Sequence, residues 1–130
     1  MTPNPVPTLI VAKPGRMRTG LQALLRTMPE IEVAGQVDCA SDALGWVVQQ
    51  GPSLVFLDTS LPIADRWMAL KEIKTQSPRS RCILCVESVQ DQATVRASGA
   101  DGVLLTGFAA ETLSTTIFEV LAGADRSDDR

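Results

Sequence analysis

Apolar residues recur along this chain in two alternating rhythms. Thr8-Leu9-Ile10-Val11-Ala12, Leu54-Val55-Phe56-Leu57, Arg81 to Val86 and Gly102-Val103-Leu104-Leu105 are short apolar runs punctuated by Gly, Pro or Ser. Such runs predict strands buried on both faces. Ile31 to Val37 instead alternates apolar and polar residues, as an edge or near-edge strand does. Between the strands the spacing becomes helical. Leu21, Leu24, Leu25 and Met28 form one apolar stripe, closed by Pro29; Ala43, Leu44, Val47 and Val48 form another, with Ser41 as its expected cap and Gly51-Pro52 as its end. A third helix is predicted over 67–76, with Trp67, Leu70 and Ile73 inward and Lys71, Glu72 and Lys74 toward water. A fourth is predicted over 90–98, stopped by Gly99. The last is predicted over about 109–121, carrying Leu113, Ile117, Val120 and Leu121 on one face and ended by Gly123.

Five strands alternating with five helices call for an α/β fold, a parallel sheet doubly wound by helices on both faces. Right-handed crossovers leave few topologies. One is the flavodoxin-like order 2-1-3-4-5, in which the first and third strands lie side by side at the switch point. That order brings Ala12 and Lys13 next to Asp58, and places Val86 and Thr106 along the same rim. Asp58 follows its strand directly. It is either aimed into the crevice where such sheets bind ligands, or it caps the turn that follows. The residues alone leave both readings open.

At 130 residues the chain is sized for one domain, expected over 8–123, with an extended proline-rich lead-in over 1–7 and an unstructured charged tail over 124–130. With 45% hydrophobic and 21% charged residues it has an ordinary globular composition. A net charge of −3 and no long basic run argue against direct nucleic-acid binding, which rests on neutralising several phosphates. The absence of histidine removes the commonest general base and metal ligand. Cys39, Cys82 and Cys85 are an odd set without disulfide-scaffold spacing, consistent with a reducing cytoplasm. Cys82 and Cys85 are spaced C-x-x-C but fall within a strand, where they read as small core residues. No signal-peptide pattern and no apolar run long enough to span a bilayer is present, so no membrane association is expected.

Several short pieces together resemble the receiver domain of bacterial two-component response regulators, from about Leu9 to Gly123. They are Leu9-Ile10-Val11; Arg18 with Gly20-Leu21 and Ala23-Leu24-Leu25; Pro29 to Gly35; Leu57-Asp58 with Leu61-Pro62; and Gly99-Ala100-Asp101-Gly102 with Leu104-Leu105. The resemblance is to the subfamily whose receiver usually precedes a helix-turn-helix output domain. It implies a CheY-like fold, a role in a phosphorelay, and Asp58 as the position that accepts a phosphoryl group from a histidine kinase.

The rest of the family's pocket is changed. Its receivers hold Mg²⁺ with acidic residues after the first strand together with the acceptor aspartate; Ala12 and Lys13 stand at those positions. Val86 replaces the hydroxyl residue after the fourth strand, Thr106 the lysine after the fifth, and Val103 the aromatic residue of the fifth strand. Arg66 stands where the family usually has glycine, which would be strained if the loop needs a positive φ. The expectation is a degenerate pseudo-receiver, not an enzyme, with weak or absent Mg²⁺ binding and no other cofactor. It would signal through contacts with a histidine kinase or another regulator, or as a homodimer, with Ile63, Trp67 and Phe108 as candidate contact residues. Lys13 either lies against Asp58 in the cation's place or is a solvated loop lysine, and the residues leave both readings open. The alternatives are a working phosphoacceptor using Asp58 and, from another class, a small flavodoxin-like nucleotide or flavin binder. The last is disfavoured because Lys13-Pro14-Gly15-Arg16 lacks a glycine-rich phosphate loop.

Overall fold

The computed structural model describes residues 5–97 and 99–128, with the side chains of all these except 93, 95–97 and 123–128. Its elements are β1 (Val6–Val11), α1 (Arg16–Arg26), β2 (Ile31–Val37), α2 (Ala40–Gln50), β3 (Leu54–Leu57), α3 (Ile63–Gln76), β4 (Arg81–Val86), α4 (Val89–Ala97), β5 (Gly102–Leu105) and α5 (Ala110–Asp128). The strands form one parallel sheet in the order β2-β1-β3-β4-β5. This is the doubly wound, CheY-like arrangement expected from the alternation of periods.

The sheet separates two cores. On one face α2 and α3 cover Leu9, Val11, Val55, Leu57, Leu84 and Val103 with Ala43, Val47, Leu70 and Ile73. On the other, α1 and α5 cover Ile10, Phe56, Ile83 and Leu104 with Leu21, Leu25, Leu113, Ile117 and Val120. Every residue of β3 is fully buried, so each large side chain there contributes about 1.5–3 kcal/mol of burial. Cys82 joins the first core and Cys85 the second, because residues three apart on a strand point to opposite faces. Both are free thiols, and their C-x-x-C spacing cannot act as a redox pair.

Several boundaries differ from the periodic reading. β1 starts at Val6, within the stretch read as lead-in, and stops before Ala12. Pro7 is tolerated because it lies where the pairing with β3 only begins: its carbonyl accepts the Ser53 amide at 3.0 Å, and the register with β3 starts at Thr8. Residues 1–4 of the expected lead-in lie outside the described residues. In α2, Cys39 rather than Ser41 is the N-cap; Ser41 lies inside the first turn, with its hydroxyl 3.4 Å from Cys39 Sγ. Val48 points to solvent at 59% exposure. α3 begins directly after Pro62, four residues before the predicted start, since proline's fixed φ and missing N–H suit a helix entrance. α4 starts one residue early, at Val89, and residue 98 lies outside the described set. α5 runs past Gly123 to Asp128, through most of the expected tail. An interior glycine costs only about 1 kcal/mol, too little to stop a helix already anchored on the sheet.

Candidate functional site at the carboxyl rim of the sheet

The ends of β1 and β3 meet where the strand order reverses. Val11 pairs with Leu57, and the Asp58 amide donates to the Val11 carbonyl at 3.0 Å. This puts Asp58 on the rim beside Ala12 and Lys13. Asp58 is 2% exposed; its Oδ2 accepts the Ser60 amide at 3.0 Å, and its carbonyl accepts the Leu61 amide at 3.2 Å. The carboxylate therefore does shape the turn after β3, as a capping residue would, while standing at the switch point. Ala12 is fully buried and Lys13 is exposed, with its amide donating to Ser60 Oγ at 2.9 Å.

The other rim positions gather at the ends of β4 and β5. Val86 is fully buried, and its carbonyl accepts both the amide and the hydroxyl of Thr106, at 2.8 and 3.0 Å. The Thr106 side chain is thereby engaged with the β4 end. Val103 is 3% exposed and packs in the core on the α2 and α3 face. An open cleft of about 590 Å³ lies over the rim, with Lys13, Ser60, Ile63, Arg66, Glu87 and Asp91 among its lining residues.

Two readings of the rim's cations are resolved here. Among the described residues the ion pairs are Arg66–Glu87, Lys74–Asp101 and Arg81–Asp101; Lys13 is exposed and in none of them, as a solvated loop lysine would be, and Arg66 pairs with Glu87 rather than with Asp58. The buried cation at the rim is Arg66. It lies in the first turn of α3 with helical backbone, no non-glycine residue has positive φ among the described residues, and its side chain is 2% exposed. The guanidinium donates through Nε to the Leu61 carbonyl at 3.0 Å, through Nη1 to the Cys85 carbonyl at 2.7 Å, and through Nη2 to Glu87 Oε1 at 3.0 Å. One signal for this was present in the sequence. Counting the buried stripe of Ile73 and Leu70 back by one helical turn reaches Arg66, which puts it on the core face.

The thiol of Cys85 feels both charges. Burial pushes it up to about 12, Asp58 pushes in the same direction, and Arg66 opposes them. Of the candidate contact residues, Ile63 is 39% exposed, while Trp67 and Phe108 are half-buried against the core.

A parallel sheet of order 2-1-3-4-5 is the fold that CheY-like receiver domains share with other flavodoxin-like proteins. The chain belongs to the response regulator receiver domain family, matching it over residues 9–118. It is 27% identical over 116 residues to the DNA-binding transcriptional activator DevR/DosR of Mycobacterium tuberculosis, covering 88% of this chain and 54% of that protein. It is 26% identical over 122 residues to the nitrate/nitrite response regulator protein NarL of Escherichia coli K12, covering 92% and 56%. The chain thus spans about half the length of these relatives. Among solved structures it resembles a LuxR-family two-component response regulator from Aurantimonas sp. SI85-9A1, with a TM-score of 0.82, 20% identity, and coverage of 92% of this chain and 87% of that one. A CheY-like receiver domain protein from Methanospirillum hungatei JF-1 aligns with a TM-score of 0.79 and 18% identity over 95% and 99% of the two chains. No helix among the described residues is long and apolar enough to cross a membrane.

Proposed function

We propose that this chain is an atypical receiver, a pseudo-receiver of the cytoplasm, that transmits a two-component signal through protein contacts without Mg²⁺-dependent phosphorylation of Asp58. The observation that carries this reading is the rim itself: of Ala12, Lys13, Asp58, Val86 and Thr106, Asp58 alone offers a carboxylate, and it is 2% exposed. Phosphoryl transfer to an aspartate depends on charge neutralisation and positioning, and Mg²⁺ at such sites is held through carboxylates in near-octahedral geometry. One buried carboxylate beside a methyl group and an ammonium-bearing residue does not fit that ion. Val86 offers no hydroxyl, and Thr106 spends its own on the Val86 carbonyl.

The partners this reading implies are a histidine kinase, another regulator or a second copy of the chain. Phe118, 75% exposed beside an apolar groove that includes Met28 and Leu121, supports a protein contact at this end of α1 and α5. Similarity to a DNA-binding transcriptional activator supports an output at the level of transcription, delivered through a DNA-binding partner or segment rather than by this domain. Melting the protein across a Mg²⁺ series tests the metal-independent reading. A site present at ten times its dissociation constant stabilises by about 1.4 kcal/mol. The expected result is no saturable shift in Tm, and a saturable rise that Asp58→Asn abolishes would overturn it.

A further inference from the structure

We propose that Arg66 is the resident counter-cation of Asp58, built into α3 where other receivers would need a bound ion, and that Glu87 holds it in place. The proposal rests on the metal-independent reading and names what makes the pocket independent. Three observations support it. First, the register pairs Leu57 with Leu84, so Asp58 stands opposite Cys85, whose carbonyl accepts Arg66 Nη1 at 2.7 Å. The guanidinium and the carboxylate make no direct ion pair, Arg66 being paired with Glu87, so the coupling acts across the Cys85 position that both adjoin. Second, Arg66 Nε grips the Leu61 carbonyl while the Leu61 amide donates to the Asp58 carbonyl, so one turn links the two charges. Third, both side chains are 2% exposed, and Asp58 and Arg66 act with opposite sign on the same Cys85 thiol. A buried carboxylate and a buried guanidinium at one end of the sheet each remove the cost of the other's isolation.

The arrangement also ties three segments that would otherwise move separately. Arg66 joins the start of α3 to the end of β4 and, through the 57% exposed Glu87, to the loop before α4. A cation carried on a helix cannot dissociate, so the rim stays in one charge state whatever the Mg²⁺ concentration.

Two double-mutant cycles, read as Tm on the full chain without metal, test the proposal. Arg66→Met removes the hydrogen bonds to Leu61 and Cys85 in any background, so those losses cancel in a cycle with Asp58→Asn. What remains is the coupling to the carboxylate: the Tm loss from Arg66→Met is expected to be smaller by about 4 °C or more in the Asp58→Asn background. The second cycle keeps Arg66 and needs only the isosteric changes Asp58→Asn and Glu87→Gln. It answers the question even if Arg66→Met does not fold. With both carboxylates gone Arg66 is a buried charge without a counter-ion, and the double variant is expected to lose about 4 °C more than the sum of the singles. Additive shifts in the second cycle would overturn the proposal, and so would additivity in the first. If additivity occurs while the wild-type chain ignores Mg²⁺, the assignment of Arg66 fails alone; if the wild-type chain is stabilised by Mg²⁺ through Asp58, the metal-independent reading fails first.

Discussion

Removing the Asp101 carboxylate tests how the opposite end of the sheet is held. Asp101 precedes β5, and its Oδ2 accepts the Cys82 amide at 2.8 Å and Lys74 Nζ at 3.0 Å, while Oδ1 lies 3.5 Å from Arg81 Nη1. The side chains are only partly exposed, at 18% for Asp101, 25% for Lys74 and 16% for Arg81. A hydrogen bond from a buried amide to a charged acceptor contributes about 1.5–3 kcal/mol. The attraction to Lys74 is about 5–6 kcal/mol gross at an effective dielectric near 20, and desolvation cancels most of it. Lys74 also keeps the Ser80 carbonyl at 3.1 Å after the change, so its net loss is about 1 kcal/mol. Asp101→Ala is therefore expected to cost about 3 kcal/mol, and Asp101→Asn about half that, because the amide oxygen can still accept from Cys82. Urea denaturation with a shared m-value measures both. A loss below about 0.5 kcal/mol for Asp101→Ala, within the range of ordinary surface changes, would show that Asp101 does not hold this end of the sheet.

Three further outcomes follow from the same geometry. Burial raises the Cys82 and Cys85 thiols from 9.0 to about 12, so the unfolded chain ionises first as pH rises; stability from this source is complete below about pH 9 and falls between there and pH 12, by up to about 1.4 kcal/mol per thiol per pH unit. Cys82→Ala and Cys85→Ala should each flatten the alkaline arm of a stability–pH profile, and an unchanged arm would count against it. A methyl group at Gly102 would meet Val120 Cγ2 at 2.7 Å and Ile83 Cγ1 and Thr116 Cγ2 at 3.2 Å, so Gly102→Ala should lower stability by about 1–3 kcal/mol in a thermal melt. Lys13→Ala should change stability by less than about 0.5 kcal/mol, because its exposed side chain is in no ion pair; a loss above about 1 kcal/mol would restore Lys13 as the partner of Asp58.

The inner strands were legible because burial on both faces writes itself as an uninterrupted apolar run. Leu54–Leu57, Arg81–Val86 and Gly102–Leu105 agree residue by residue with the runs between their breakers. The rim was legible for a related reason: a parallel sheet of this order aligns its carboxyl ends, so Ala12, Lys13, Asp58, Val86 and Thr106 were placed together by topology. The charged residues were not. Lys74 was read as solvent-facing, yet its ammonium reaches Asp101, distant in sequence, and Arg66 was read as a loop problem, yet it reaches the Cys85 carbonyl of β4 and Glu87 just beyond it. Charged side chains are solvated by default, and whether a long stem carries its head to a buried carbonyl depends on neighbours that no local pattern displays. The helix ends failed for smaller reasons: Pro62 marks an entrance four residues ahead of the apolar stripe that was followed, and Gly123 punctuates weakly next to the energy of packing on the sheet.

On the reading proposed above, Asp58 stands at the switch point without the groups that phosphoryl transfer needs. Incubating the chain with a small acyl phosphate and Mg²⁺, then weighing it intact alongside Asp58→Asn, tests this most directly. Both proteins are expected to keep their original mass. A stoichiometric adduct of one phosphoryl group on the wild-type chain, absent from Asp58→Asn, would contradict it and make Asp58 a working acceptor.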